Sequence, residues 1–526
     1  MIRSATDRAA RSAAEAEAAE LRGTPLAALV LYEQSLHVYP FDDVTATNMG
    51  VLAKHLGKID AARAALRHAQ AMDPSRAVTH VQRLLDGGGV FGEAEGSRPA
   101  LLQAAQCLCG VLREAGYSAS LARRLLLAQG GSAGGAPTGA EYFELRLQPE
   151  VRDALEGEGT PQPLGTLFLL FLLGAAVPLE KAAAAIGKGP LTQLIEMGLL
   201  VSAPVGKPRQ FVASPVQVYP LDMDDEGRGD GATTKELLIA TDWSVESLLP
   251  TKYAVMPIGV DSLDLVHLAP REACACVLDL CCGSGIQALV AASSYASKVV
   301  AADVNRRAVR FTTFNAELNA VSHRVEAVVS DTYSHPLIDE NCPFDAILAN
   351  PPFVAVPASA APVHECCEWA LYADGGPDGA RVYREIVRGA DVSRLRPGGW
   401  LCCTGELPNV SWAHEWLPVN SLEVTVCYNP LHVQTVDEYA AVRAEERPDH
   451  ASSANWAEAM RSHGVKEMGN AFLFGLQLHP GSEPTGRSIP FLGGPDSEWQ
   501  SLLSGVGASV RRSISDSLCT RIVLPK

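Results

Sequence analysis

The chain has 526 residues, 47% of them hydrophobic and 20% charged, which describes a globular protein of several domains and excludes a disordered or fibrous one. Its formal net charge of −17 speaks against an autonomous nucleic-acid binder, since Lys and Arg neutralising phosphates supply much of such binding. The longest apolar run, "LGTLFLLFLLGAAV" at 164–177, is shorter than the roughly 20 residues of a bilayer span. It reads as a buried helix, and no membrane association is expected. The Ala- and Arg-rich start carries several Glu, unlike a transit peptide, and lacks a secretory apolar core. The thirteen cysteines include adjacent pairs that suit no disulfide, and there is no Cys-x-x-Cys spacing for zinc. The expectation is a cytoplasmic protein with no structural metal, its cysteines serving as small buried apolar residues.

In the stretch "MGVLAKHLGKIDAARAALRHAQAMDP", Gly50, Gly57, Ala62, Leu66, Ala69 and Pro74 fall at the spacing of a 34-residue helix-turn-helix repeat. One period earlier, Gly23, Ala28, Tyr32, Ser35 and Pro40 occupy the later positions. Residues 9–76 therefore resemble two tetratricopeptide units, with 77–85 as a capping helix. The resemblance implies a docking role. Gly87–Gly89 end that pattern. Residues 100–128 read as helical and 129–139, "QGGSAGGAPTG", as a loop. The segment "PLTQLIEMGLLVSAPVGKPRQFVAS" gives a helix, then two short β-like runs around a Gly-Lys-Pro turn. That is a winged-helix outline without a basic recognition helix, so domain docking is expected of it rather than DNA binding. An acidic, Gly-rich loop at 222–234 marks a boundary.

After Lys235 the pattern becomes alternating strands and helices, which predicts a parallel, doubly wound sheet. "CACVLDLCCGSG" is a strand carrying Asp279 into a turn with Cys281, Gly283 and Gly285. "KVVAADVN" ends in Asp303, "VEAVVSDT" in Asp331 and Thr332, and "FDAILANPPF" in Asn350-Pro351-Pro352-Phe353. Ligands of such sheets bind at the carboxyl ends of the strands. An acid opening the glycine turn suits a cationic ligand and suits a pyrophosphate badly, so a dinucleotide reading is set aside.

The order acid–glycine turn, acid, acid, Asn-Pro-Pro-Phe resembles the class I S-adenosylmethionine-dependent methyltransferases over about 250–410. The resemblance implies that Asp279, Cys281 and the Gly283–Gly285 turn hold the methionine end of S-adenosyl-L-methionine. It implies that Asp303 accepts from the ribose hydroxyls, and that Asp331 and Thr332 meet the adenine. Cys281 departs from the glycine usual there. The Asn-Pro-Pro-Phe motif belongs to relatives that methylate a nitrogen on a planar group: adenine N6, guanine N2 or a glutamine amide. Asn350, also counted with the cofactor residues, and the Pro351 carbonyl would accept from the NH2. Pro352 stiffens the loop and Phe353 offers a stacking face. Further on, Glu368, Ala370-Leu371, Gly375-Gly376 and Asp378-Gly379 resemble the pocket-wall stretch of release-factor glutamine methyltransferases.

These readings predict tetratricopeptide-like repeats over 1–90 and a helical, winged-helix-like domain over 91–234. A Rossmann-like methyltransferase domain would follow over 235–478, with a loosely ordered tail over 479–526. The function expected is methyl transfer to a planar nitrogen, first a protein glutamine amide. RNA or DNA base methylation, small-metabolite methylation and a non-enzymatic docking protein with a degenerate fold are the alternatives. The partner would be a protein acceptor docked partly by the helical repeats, nucleic acid being disfavoured by charge.

Overall fold

A computed structural model describes residues 2–21, 25–38, 43–55, 98–127, 137–223 with gaps, 236–243, 253–356, 370–418, 421–446 and 451–490, with Ala65, Leu66 and Ala69 between the first segments. Helices Ile2–Leu21, Pro25–Val38 and Asp43–His55 open the chain. Their small residues let them close on one another: Ala16, Ala19, Ala28, Leu29, Tyr32, Leu52 and Ala53 form a buried cluster of their own. Ser35 Oγ donates to Ala9 O at 2.9 Å across the first pair. Gly23, Pro40, Gly57, Pro74 and the capping segment 77–85 lie outside the described residues.

The middle of the chain places helices Leu179–Ile186 and Lys188–Glu196 beside a small antiparallel sheet of β1 (Val177–Pro178), β3 (Phe211–Ala213) and β2 (Val201–Ser202) in that order. The Gly-Lys-Pro turn between β2 and β3 lies outside the described residues. The run at 164–177 begins as a helix, Gln162–Leu167, continues as a π-turn over Phe168–Leu172, and is buried throughout that turn. Among the described residues no helix is long and apolar enough to cross a membrane.

The main sheet contains β6 (Cys274–Leu280), β7 (Ala296–Asp303), β8 (Val325–Val329), β9 (Phe344–Ala349), β10 (Leu395–Pro408), β11 (Leu422–Tyr428), β13 (Glu467–Gln477) and β14 (Gly486–Pro490). Their order is β14-β11-β13-β10-β9-β6-β7-β8, and the short β12 (Gln434–Thr435) pairs with β13. The strands from β10 to β8 run parallel, and β13 lies antiparallel between β10 and β11. The central strands read as almost unbroken apolar runs because helices cover both faces. Helices Val260–Leu268, Ile286–Ser294 and Arg306–Leu318 build the core on one face. Helices Pro336–Asn341 and Arg381–Gly389 build it on the other. The chain winds outward in opposite directions from β6 and β9, so the topological switch point, where such sheets bind ligands, lies between them.

The structure differs from the expected boundaries in two places. The tail assigned from 479 still contributes β14, which adds to β11 in parallel, while 491–526 lies outside the described residues. The boundary at 234 falls between two paired strands: β4 (Gln217–Asp222) and β5 (Glu236–Thr241) pair with each other, and 224–235 lies outside the described residues. The main core runs across this line, from Tyr117 and Phe168 through Tyr219 and Ile239 to Phe311 and Phe314.

Candidate active site

Asp279 and Asn350 leave the ends of neighbouring strands, because Leu280 of β6 lies opposite Ala349 of β9. They line one cleft of about 120 Å³, together with Cys281, Gly283, Asp303, Asp331, Thr332, Pro351, Pro352 and Phe353. Residues from four strand ends, scattered over more than seventy positions of sequence, thus line one cleft.

Asp279 is only 1% exposed. Its Oδ2 accepts from Ala288 N, in the first turn of helix Ile286–Ser294, at 2.9 Å, while Oδ1 is buried without a partner. Burial first, then the charge of Asp303, pushes its pKa up to about 8. Asp303 ends β7 and accepts from Gly283 N at 2.9 Å and Asn305 N at 2.8 Å. These donors favour the charged form, yet burial outweighs them and raises its pKa to about 6. The pair makes an acidic floor that lacks a cation. Among the described residues no cluster of His, Cys, Asp or Glu could hold a metal ion.

Cys281 sits in the left-handed region at φ 56, and so does Thr332 at φ 46. Burial holds the Cys281 thiol well above its usual pKa, with the Asp303 and Asp279 charges adding to the effect. It is a small neutral wall residue rather than a nucleophile. Asp331 is exposed at the rim. Gly285, assigned to the cofactor, does not line the cleft. It caps helix Ile286–Ser294 at φ 81, and a Cβ there would stand 2.8 Å from Thr312 Oγ1. Close helix-to-helix packing, not ligand contact, requires that glycine.

The Asn350 carboxamide is held at one end only. Nδ2 donates to Asp261 Oδ2 at 2.8 Å and to Ser262 Oγ at 3.3 Å, and Oδ1 is buried without a partner. Phe353 packs its ring on Gly405 of β10, where a Cβ would come within 2.9 Å of it. The expected pocket-wall stretch divides in two. Leu371 and Tyr372 do line the cleft. Its glycines lie behind the Phe353 main chain instead: Gly375 N donates to Val354 O at 2.9 Å and Val356 N to Gly376 O at 2.8 Å. At Gly379, φ 81, a Cβ would stand 2.5 Å from Phe353 O. Glu368 lies outside the described residues.

Sequence reasoning missed Asp261 and the wall formed by Ala254, Val255 and Met256. That wall is fixed by Asp242, which follows β5: Asp242 Oδ2 accepts from Val255 N at 2.8 Å and from Arg307 Nε at 2.9 Å. Asn305 Nδ2 also donates to Tyr253 O at 2.9 Å. Asp242 stands in the stretch "LIATDWS", where no pattern tells which residue it meets.

Residues 261–368 match the family model of the methyltransferase small domain. A ribosomal protein uL3 glutamine methyltransferase of Bradyrhizobium diazoefficiens is 38% identical over 131 residues, 24% of this chain and 40% of that one. A release factor glutamine methyltransferase of Cereibacter sphaeroides is 36% identical over 140 residues, 26% of this chain and 49% of that one. A solved ribosomal protein L11 methylase of Lactobacillus delbrueckii aligns at 18% identity and TM-score 0.23, over 41% of this chain and 76% of that one. The chain thus spans less than half the length of the two glutamine methyltransferases. The doubly wound half is similar, over residues 261–368, to a methyltransferase small domain, and over part of its length to release-factor and ribosomal-protein glutamine methyltransferases.

Proposed function

We propose that the chain is an S-adenosyl-L-methionine-dependent methyltransferase acting on a planar nitrogen, first of all the side-chain amide of a protein glutamine. One observation carries the acceptor class: the buried, unpartnered Oδ1 of Asn350 at the switch point of the sheet. A buried acceptor without a donor is costly unless a ligand supplies one. A primary amide or an exocyclic amine does so.

The cofactor fits the acidic floor on the same ground. Asp279 keeps a buried carboxylate oxygen without a donor, and an ammonium group would satisfy it. Asp303, with backbone donors on both oxygens, retains lone pairs for ribose hydroxyls. Asp331 and Thr332 at the rim are assigned to the adenine. When bound, the cofactor supplies an activated methyl group. Asn350 Oδ1 and the Pro351 carbonyl accept from the acceptor's NH2, Phe353 stacks on its plane, and the rigid Pro351-Pro352 pair holds these groups in a near-attack arrangement.

The glutamine assignment rests on the names of the relatives and on the Gly375–Gly379 stretch; the net charge weighs against a nucleic-acid acceptor. The helical start, with its small-residue packing, is assigned to docking the acceptor protein. The order helix, strand, two helices, strand, strand over 162–213 supports a winged-helix reading of the middle segment.

The test is calorimetric titration with S-adenosylmethionine and S-adenosylhomocysteine, wild type beside Asp303→Ala, followed by tritium transfer to release factors, RNA and small amides. Saturable binding that falls at least about tenfold in the variant is expected. Folded wild-type protein that binds neither compound ends this reading in favour of a docking protein.

A further inference from the structure

Resting on that reading, we propose that Asp261 is the residue that sets which end of the Asn350 carboxamide faces the methyl acceptor. An asparagine is nearly symmetric in shape, so only its partners decide where oxygen and nitrogen point. Burial raises the Asp261 carboxyl above its ordinary value, and the NH2 it accepts from Asn350 opposes that rise by favouring the charged form, which accepts and cannot donate. Placed 2.8 Å from the carboxamide, Asp261 therefore selects the NH2 end for itself. Ser262 Oγ, at 3.3 Å, stands on the same side. What remains toward the cleft is Oδ1, buried and without a partner.

The two residues are 89 positions apart and meet because helix Val260–Leu268 packs over the switch point. That helix is tied to the helix following the glycine turn, since Gln287 Nε2 donates to Ser262 O at 2.9 Å. The orientation of Asn350 is thereby fixed to the same element that carries the cofactor turn. In the flipped orientation the carboxamide oxygen would face the Asp261 carboxylate. Its NH2 would then oppose the acceptor's NH2, donor against donor. The acceptor nitrogen would lose the partner that holds it with its lone pair toward the methyl group. Asp261 touches neither substrate nor cofactor in this account; it acts through Asn350.

The experiment is an exchange of the two side chains, read as tritium transfer from labelled S-adenosylmethionine to purified release factor and ribosomal protein uL3, with cofactor affinity by calorimetry. Asp261→Asn allows the reversed pairing, and Asn350→Asp alone sets two carboxylates against each other. Each single variant is expected to lower kcat about 10²-fold, and Asp261→Asn to leave cofactor Kd unchanged within about threefold. The double variant Asp261→Asn/Asn350→Asp recreates one donor facing one acceptor with a lone carboxylate oxygen toward the cleft. It is expected to recover at least about tenfold over either single variant.

Wild-type kcat in Asp261→Asn overturns the proposal, as does a double variant no better than the worse single one. Loss of cofactor affinity in parallel with kcat in Asp261→Asn also overturns it, since that marks a purely structural role. The side-chain amide resonances of Asn350 in selectively 15N-labelled protein, identified by their loss in Asn350→Asp, give a readout that needs no acceptor. They are expected to shift in Asp261→Ala, and unmoved resonances overturn the proposal. If the resonances move but wild-type protein methylates nothing offered, the assignment of acceptor fails while the orienting role of Asp261 stands.

Discussion

Asp279 and Asp303 are carboxyl groups that the ligand-free protein holds against their ordinary chemistry. Unfolded carboxyls titrate near 4, whereas burial brings Asp279 to about 8 and Asp303 to about 6. Between those values the native state binds protons that the unfolded chain has released. The pair therefore adds stability that is fully present below about pH 4 and is lost as pH rises through about 6 and then about 8. Asp279→Asn keeps an oxygen for Ala288 N and removes the charge. Its Tm, by calorimetry without ligand, is expected to exceed that of wild type by a margin that grows from pH 5 to pH 8. The margin should reach at least about 1 kcal/mol, or roughly 2–4 °C for a domain of this size, while cofactor binding is lost. A margin that does not change with pH refutes this account. Stability given up at a binding site is a common exchange, and it explains why these acids were legible in sequence: an Asp at the end of an apolar strand has no packing reason to be there. Asp261 was illegible for the converse reason. In "VDSLDLVHL" it does not differ from Asp264, and only the meeting of two elements far apart in sequence gives it Asn350 as a partner.

The loop that presents Asn350 and Phe353 is held from behind by elements whose sequences show nothing of the task. Ala355 N donates to Tyr439 Oη at 3.1 Å, and Trp456 Nε1 donates to Ala355 O at 3.2 Å. Both rings come from the helix pair Val436–Glu446 and Ser453–Ser462, inserted before β13, and bury themselves around Ala355 with Met460 and Met468. Nothing in the sequence of 436–463 gives this pair a function. Its apolar spacing announces a packed face but not the peptide that face receives. Tyr439→Phe keeps the ring and removes the acceptor, leaving the Ala355 N–H buried and unpaired. That costs about 1–3 kcal/mol, and part of it is met by movement of the Phe353–Ala355 chain. Methyl transfer is expected to fall about tenfold or more at unchanged cofactor Kd, because a displacement near 1 Å in a positioning element is enough. The check is the ratio of kcat to Kd for the cofactor, measured in the same preparation. Unchanged kcat with a lowered Tm would make the helix pair a stabilising brace and nothing more.

At the scale of the molecule the question is which parts are separable, and the composition shift at 222–234 pointed to the wrong place. The strands on either side of it pair with each other. β5 pairs with β4 along one edge, and its other edge is taken by two asparagines, Asn315 in helix Arg306–Leu318 and Asn319 at its C-terminal cap. Asn315 exchanges hydrogen bonds with both the N–H and the C=O of Ala240, at 2.8 and 2.9 Å. Asn319 does the same with Leu238 at 2.9 and 2.7 Å. Asn315 also donates to Ser284 O, inside the glycine turn, at 2.8 Å. The segment before 234 is therefore joined through β5 to the glycine turn, whereas the cluster around Ala16, Tyr32 and Leu52 is distinct from the main core. Two deletions should behave oppositely. Removal of 1–90 is expected to leave S-adenosylhomocysteine affinity within about twofold, since no term in the cleft is touched, and to raise KM for a protein acceptor if the helical start docks it. Removal of 1–234 strips β5 of its partner strand and takes Tyr219, Phe168 and Phe171 out of the core they share with Phe311 and Phe314. Each buried backbone group left unpaired costs about 1–3 kcal/mol, and a handful of them exceeds the whole margin of about 5–15 kcal/mol by which a domain is stable. Residues 235–526 alone should thus neither unfold cooperatively nor bind the cofactor. If that fragment binds S-adenosylhomocysteine with the affinity of the full chain, the asparagine ladder and the β4–β5 pair are decoration on an independent methyltransferase domain. If it does not, the front half is part of the catalytic fold, and only the first ninety residues can be assigned to recognition alone.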